Sequence, residues 1–326
     1  MDCLNDALLP ENTKKLWATI CSKPVARDFS GFILVGGTAL SLRIGHRISE
    51  DLDFVWAHSH PTTHYDKLPR QAIDKAMYHL RNDFGFHVEK ISYPAEEDDF
   101  INDGLNLDDF HQDYIVSGAK VTFFKASPDA FKALGCSDDK SCDDPLRVAT
   151  LHEIFLLKSL VVTERAKTRD YFDLYILLKE YKCNLQDAYD VISKSGTING
   201  WDVFSERLSS LPVRKDDEGY HQMLNGEDHP SLEDMRAFFR DRLGQYGIRL
   251  KNRVMEENEY SCTTLSQTQI THKTSAQQVA GIAQEEPMET QQSLPNEEAE
   301  RLRAQWVAAA SRETGSVRAD DEDDTP

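Results

Sequence analysis

Apolar and polar positions in the first part of the chain alternate between short strand-like runs and helix-like spacing. Residues 32–35 form a continuously apolar run, which predicts a buried strand. Residues 51–55 alternate polar and apolar positions, which predicts a second strand whose side chains face opposite sides in turn. The segment 38–44 between them is short and compatible with a helix, so the pattern predicts a strand, a turn, a helix and a strand.

The same patterns continue along the chain and change character near residue 150. Residues 65–84 have helical spacing of Leu68, Ile73, Ala76, Met77 and Leu80, and the pattern then predicts strands at 86–93, 113–116 and 119–124. From Leu151 to about residue 246 the spacing is helical, with Ser231 as the N-cap of the last helix and Asp234 at its third position. We therefore predict an α+β fold, with a mixed β-sheet domain at 1–150 and a helical bundle at 151–255.

The last part of the chain has a different composition. After about residue 255 it is rich in Gln, Thr, Ser, Glu and Ala, which predicts a disordered acidic tail at 256–326. Residues 296–312 have the composition of one short helix inside that tail.

Small residues and paired carboxylates flank the first predicted helix. Gly36, Gly37 and Thr38 follow the first strand, and Asp51 and Asp53 lie two positions apart on the second. Positions two apart on a strand face the same side, so both carboxylates converge and repel each other unless a cation lies between them. Carboxylate oxygens suit Mg²⁺, and a glycine turn at a helix N-terminus suits phosphates. This order predicts a site for a nucleoside triphosphate and Mg²⁺.

A second polar cluster interrupts the first helices of the bundle. Lys158 stands in an otherwise apolar run, where an unpaired charge is costly. The turn and helix that follow carry Arg165, Arg169, Asp170 and Asp173, the last two on one helical face. These residues form either part of a binding cleft or a snorkelling lysine beside a helix with surface ion pairs.

Both blocks resemble the nucleotidyltransferase superfamily, and in particular its AbiEii/AbiGii branch of bacterial toxins. The first block is GGTAL followed by HRISEDLDF, residues 36–40 and 46–54, and the second is Lys158 followed by RAKTRDYFDL, residues 165–174. The resemblance covers about residues 30 to 245. It implies that Lys158 contacts the nucleotide phosphates and that the stretch 165–173 closes the site.

The resemblance also implies an activity and partners. The expected reaction is Mg²⁺-dependent transfer of NMP from an NTP to an RNA 3′ end, most directly a tRNA acceptor stem, by the toxin of a toxin–antitoxin or phage-defence system with a cognate antitoxin. The expected catalytic residues are Asp51, Asp53, Lys158, Asp170 and Asp173, with Asp51 and Asp53 as the metal ligands. The expected nucleotide-binding residues are Gly36, Gly37, Thr38, Arg47, Ser49, Arg165 and Arg169.

One departure from the superfamily leaves alternatives open. A third metal-binding carboxylate usually lies on a later strand, but the middle of the strand 119–124 is Thr122, and Glu89 is an uncertain substitute. The chain could instead be a catalytically silent nucleotide-binding module. The same motifs would also serve transfer to a protein or a small molecule.

Net charge and hydropathy limit the kinds of binding partner and the location that we expect. The net charge of −19 argues against a protein that coats nucleic acid nonspecifically, while Arg43, His46 and Arg47 near the first motif predict a locally basic cleft. The N-terminus lacks the features of a signal peptide and no apolar run is long enough to cross a membrane, so we expect a cytoplasmic protein with no membrane partner. Six scattered cysteines predict free thiols.

Overall fold

A computed structural model describes residue 4, residues 6–57, 67–135 and 146–214, residue 217 and residues 229–272, with side chains as far as residue 252. Its helices are α1 (Glu11–Ile20), α2 (Lys23–Ala26), α3 (Gly36–Ile44), α4 (Arg70–Asn82), α5 (Pro94–Asn102), α6 (Pro128–Ala133), α7 (Leu151–Glu164), α8 (Thr168–Glu180), α9 (Leu185–Lys194), α10 (Gly200–Ser210) and α11 (Leu232–His272). Its strands are β1 (Phe32–Val35), β2 (Leu52–Trp56), β3 (Val88–Ile91), β4 (His111–Val116), β5 (Ala119–Lys125) and β6 (Arg147–Val148).

The strands form one mixed sheet in the order β3-β4-β5-β2-β1-β6. β2 runs antiparallel to β1 and parallel to β5, so it lies near the middle of the sheet with a partner on each side. β4 pairs antiparallel with both β5 and β3. The predicted α+β fold, a mixed sheet followed by helices, is confirmed.

One face of the sheet is packed with aromatic side chains. The ring of Phe54 on β2 lies 5.0 Å from Phe29 and 5.5 Å from Phe123 on β5, centroid to centroid. Phe32 on β1 lies 5.2 Å from Phe123. Because side chains alternate along a strand, this core leaves the odd positions of β2, including Asp53, on the opposite face.

The opposite face is joined to the helical bundle through α3. α7 contacts α3 as well as α8, α9 and α10, and buried apolar residues form one continuous core from the sheet into the bundle. Arg43 near the end of α3 donates to the backbone carbonyls of Ala149 and Val148, just before α7. The predicted boundary at residue 150 therefore falls between two tightly connected layers.

Several helix ends differ from the predictions. α4 begins at Arg70 rather than near residue 65, because Pro69 at its N-cap disfavours helix in the residue before it. Ser231 caps α11 as predicted, through reciprocal hydrogen bonds with Asp234. α11 continues to His272, past the boundary predicted at 255, since adding a residue to an existing helix is easier than starting one.

The rest of the predicted tail, including the short helix at 296–312, lies outside the described residues. Cys21 and Cys183 are free thiols, and the other cysteine side chains lie outside the described parts. Within the described part of the chain, none of the helices is long and apolar enough to cross a membrane.

The packing of α11 predicts where the folded body ends. Tyr246 is 7% exposed and its ring lies 5.4 Å from Trp201, whereas Ile248 is 63% exposed. We expect Tyr246→Ala to lower the free energy of unfolding by about 3 kcal/mol, because it removes a buried aromatic ring. We expect truncation after residue 255 to leave it unchanged. Chemical denaturation of both variants measures this, and an equal loss in the truncated protein would place residues beyond 255 in the core.

Candidate functional site

β1 passes directly into α3 at the glycine turn Gly36–Gly37, which lies against Asp53. Gly36 has φ +74°, a conformation that residues with a side chain rarely adopt. A Cβ atom at this position would overlap the Oδ2 atom of Asp53. Asp53 is the residue that pairs with Val35 across the β1–β2 ladder. Glycine is therefore required both by the backbone conformation and by the carboxylate that fills the space beside it.

Thr38 and Ser49 fix the segment that leads into β2. The Thr38 hydroxyl is buried, donates to the backbone carbonyl of Asp51 and lies 2.9 Å from the Ser49 Oγ. Both hydroxyls thus hold the loop in front of the paired carboxylates. The nucleotide contact expected for Thr38 and Ser49 stays a prediction, and the geometry gives them a positioning role.

Asp53 lies on the predicted second strand, whereas Asp51 lies just before that strand rather than on it. Asp53 is the second residue of β2, and Asp51 directly precedes the strand, two positions away. Asp53 is 6% exposed and Asp51 is half-buried. The described residues contain no group of three or more His, Cys, Asp or Glu side chains arranged to hold a metal ion.

The two sequence blocks meet at Asp173. Arg47, in the loop after α3, forms a bidentate salt bridge with this fully buried carboxylate. Its Nε donates to Oδ1 at 2.7 Å and its Nη2 donates to Oδ2 at 3.0 Å. His46 Nε2 lies 2.7 Å from the same Oδ1, and its ring stacks on Phe172. A buried salt bridge thus joins the first motif directly to the helical bundle.

Lys158 lies between the two aspartates of α8. Its Nζ is 2.7 Å from Asp170 Oδ1 and 3.0 Å from Asp173 Oδ2, and the side chain is 7% exposed. Arg165 adds a second cation to Asp170, with Nε 2.9 Å from Oδ2. The lysine neither snorkels to solvent nor stands alone; it is part of a buried network of Arg47, Lys158 and Arg165 around two carboxylates.

The network sets the ionisation of its members. Burial acts to raise the pKa of Asp173, but Arg47 and Lys158 outweigh it and hold that pKa well below its usual range. Burial is likewise outweighed at Asp170, whose pKa is lowered by Arg165 and Lys158. Burial lowers the pKa of His46. With both aspartates ionised, three cations face two anions, so the cluster carries a net positive charge.

The start of α8 is secured by a distant residue. The backbone N–H and the hydroxyl of Thr168 each donate to Asp217 at 2.8 Å. Arg169, expected to bind nucleotide, is half-buried in the same first turn, next to Asp170. The structure brings Arg165 and Arg169 to the positive cluster, and their contact with a nucleotide stays a prediction.

Sequence reasoning missed a carboxylate on the sheet. Thr122 on β5 lies directly opposite Asp53, and the next residue across the ladder is Asp113 on β4. Asp113 is fully buried and accepts a hydrogen bond from the Tyr93 hydroxyl at 2.5 Å. The sequence did place Asp113 within a run of residues that resembles a strand. To see that it lies near Asp53, the order of the strands in the sheet was also needed, and the sequence does not give that order.

The suggested substitute, Glu89, is corrected by the same topology. It lies on the edge strand β3 opposite Ile115 and is exposed. β4 and β5 separate it from β2. Glu89 is therefore too far from Asp53 to share a cation with it.

Comparison with known proteins identifies a family. The family model described as the nucleotidyl transferase AbiEii toxin of a type IV toxin–antitoxin system matches residues 21–243. A curated relative, the uncharacterized protein aq_aa25 of Aquifex aeolicus (strain VF5), is 24% identical over 215 residues, which are 66% of this chain and 87% of the relative. The matched residues contain the glycine turn, the paired carboxylates and the buried charge network.

The glycine turn leads to a stability prediction. A Cβ atom on Gly37 would overlap Arg47 Nη2 and lie 2.8 Å from Ser49 Oγ. We expect Gly37→Ala to lower the free energy of unfolding by about 1–3 kcal/mol, because crowding there displaces the guanidinium from Asp173. Gly244→Ala, in a helix where the new methyl group meets open space, should raise it by about 1 kcal/mol. Equal effects in thermal or chemical denaturation would contradict the contact.

His46 predicts a pH dependence of stability. Because its pKa in the folded state lies below the ordinary 6.5, the unfolded chain takes up a proton first as the pH falls. Stability from this residue is therefore full above 6.5 and decreases below it. We expect His46→Gln, which retains a donor for Asp173, to lose less stability than the wild type between about pH 7 and 5.5. His87→Gln, at an exposed position, is the control and should follow the wild type.

Proposed function

The chain belongs to the AbiEii family of nucleotidyl transferase toxins from type IV toxin–antitoxin systems, and from that premise we propose a Mg²⁺-dependent transfer of NMP from an NTP to an RNA 3′ end. A tRNA acceptor stem is the proposed acceptor. The observation that carries the proposal is that Asp53 lies against Gly36, while Arg47 from the same block binds Asp173 in the positive cluster.

The glycine turn and α3 supply a place for the triphosphate. Gly36 and Gly37 are the first residues of α3, and the first backbone N–H groups of a helix have no acceptor within it. Phosphate oxygens are suitable acceptors there and are favoured by the helix dipole.

The paired carboxylates fit a magnesium ion. Mg²⁺ commonly binds through one or two carboxylates together with substrate phosphates and water, which matches Asp51 and Asp53 without a third protein ligand. Bound there, Mg²⁺ would neutralise charge on the phosphates and orient the α-phosphate for attack. The protein's own part is to hold Asp53 in place, through the glycine turn on one side and the β5 ladder on the other.

The positive cluster is suited to the leaving group. In the proposed reaction a hydroxyl oxygen of the acceptor forms a bond to the α-phosphorus, the bond from that phosphorus to the bridging oxygen breaks, and pyrophosphate departs while the hydroxyl proton passes to solvent. Lys158, Arg165 and Arg169 would stabilise the charge on pyrophosphate. Because Asp170 and Asp173 both bind Lys158, we assign them to holding the lysine rather than to the metal.

The cellular role follows from the acceptor. A nucleotide added to the 3′ end of a tRNA would block aminoacylation and stop growth. An antitoxin is the implied partner of a toxin–antitoxin family member. Arrest of an infected cell would serve phage defence, and a cytoplasmic site of action is part of the same proposal.

One observation favours a second candidate. The position beside Asp53 on β5 is Thr122, and the described residues show no cluster of three metal-binding side chains. A module that binds nucleotide without transferring it would need no third carboxylate.

Transfer to a protein or a small molecule would use the same nucleotide site with a different acceptor.

The test is to incubate the protein with each labelled NTP and, separately, total RNA, total protein and small-molecule acceptors. We expect label on RNA that depends on Mg²⁺ and is lowered at least about 100-fold by Asp53→Asn, which keeps the shape but removes the charge. Asp74→Asn, at an exposed position on α4, should have full activity. Nucleotide binding without pyrophosphate release would support the silent module, and label on protein or a small molecule would change the acceptor.

A further inference from the structure

A polar patch continues from Asp53 across the sheet. We define the β4–β5 patch as Thr122, Asp113 and His111. Thr122 lies opposite Asp53, Asp113 lies opposite Thr122, and His111 is two positions before Asp113 on the same side of β4. Neighbouring strands are about 4.8 Å apart, so the patch starts one strand from the proposed metal ligand.

The patch contains buried polar atoms whose hydrogen bonds are unmade. Thr122 and His111 are each 5% exposed. Within the described part of the chain, Oγ1 of Thr122 and Nδ1 of His111 have no hydrogen-bond partner. A buried polar atom without a partner is destabilising, and such atoms in a folded protein call for an explanation. A ligand with hydroxyl groups would satisfy them.

Asp113 in the patch is surrounded by groups that stabilise its charge. Lys120 Nζ lies 3.1 Å from Asp113 Oδ2, and His111 Nε2 lies 3.1 Å from Oδ1. Burial acts to raise the pKa of Asp113, but His111, Lys120 and the Tyr93 hydroxyl lower it, so the carboxylate is ionised. The polar atoms that are left over in the patch, Thr122 Oγ1 and His111 Nδ1, suit neutral hydroxyl groups that both donate and accept.

The direction of the proposed reaction places the acceptor on this side. Gly36 lies against Asp53 from the β1 side, and Thr122 faces it from the β5 side. In phosphoryl-type transfer the attacking and leaving oxygens are roughly in line across the phosphorus. With the triphosphate at the glycine turn, as proposed above, the attacking hydroxyl would approach from the side of Thr122.

We propose that the β4–β5 patch binds the sugar hydroxyls of the acceptor's terminal nucleotide, and so selects a ribose 2′,3′-diol over a 2′-deoxy end. This inference rests on the proposed transfer to an RNA end. The 2′-hydroxyl is the group by which a protein distinguishes RNA from DNA at a given position. Thr122, where a third carboxylate was expected, then contributes to acceptor selection.

The experiment uses the full chain and short fluorescent RNAs that differ only in the last sugar, ribose or 2′-deoxyribose. Binding is measured by anisotropy, and transfer by gel shift with labelled NTP. We expect the ribose end to bind about tenfold more tightly in the wild type, the effect of one hydrogen bond to a buried group. Thr122→Val, which keeps shape and strand propensity, should bind both ends equally. Thr122→Ser should restore the difference, and Thr19→Val on α1 should leave it unchanged.

The outcomes separate this inference from the proposed function. Transfer to RNA with no preference for the ribose end, or a preference that survives in Thr122→Val, overturns the patch and leaves the transferase proposal standing. Binding that discriminates between the two ends without any transfer supports the patch and overturns the RNA transferase. Equal binding of both ends by the wild type, with no transfer, overturns both. Melting temperatures of the Val and Ser variants confirm that each is folded.

Discussion

The buried salt bridge between Arg47 and Asp173 is the contact on which the site depends. Arg47 follows a helix of the sheet domain, and Asp173 belongs to the second helix of the bundle. Their bidentate geometry fixes both the distance and the orientation of these two parts. A buried charge that loses its partner is strongly destabilising, so the fold keeps the pair together or loses much of its stability. The paired carboxylates and Lys158 are held in relation to each other through this contact.

The same salt bridge helps to explain why both residues after β1 are glycines. Gly36 makes room for Asp53, and Gly37 makes room for the Arg47 guanidinium. Two adjacent residues without side chains thus accommodate a carboxylate of the sheet and a cation of the bundle interface. A turn that was expected to serve phosphates alone also sets the spacing of the protein's own charges. The proposed phosphate contact and the packing of these charges therefore concern the same two positions.

Sequence patterns predicted the parts of this molecule that depend on near neighbours. The order of strand, glycine turn, helix and Asp51–Asp53 was confirmed, because each step rests on local spacing. So was the helical spacing that places Lys158 among apolar neighbours. Its two partners, Asp170 and Asp173, depend on how α7 packs against α8, which spacing alone does not give. Asp113 was missed for a related reason: its closeness to Asp53 exists only once β4, β5 and β2 are placed side by side.

The hydrogen bonds between Thr168 and Asp217 have a consequence for the protein during its synthesis. Thr168 at the start of α8 is secured by Asp217, which leaves the ribosome well after α8 itself. These hydrogen bonds satisfy the backbone N–H of Thr168 at a helix start that carries Arg169 and Asp170. A nascent chain that ends before residue 217 therefore has an incompletely secured charge cluster. Full assembly of the cluster is therefore delayed until most of the folded body has been made.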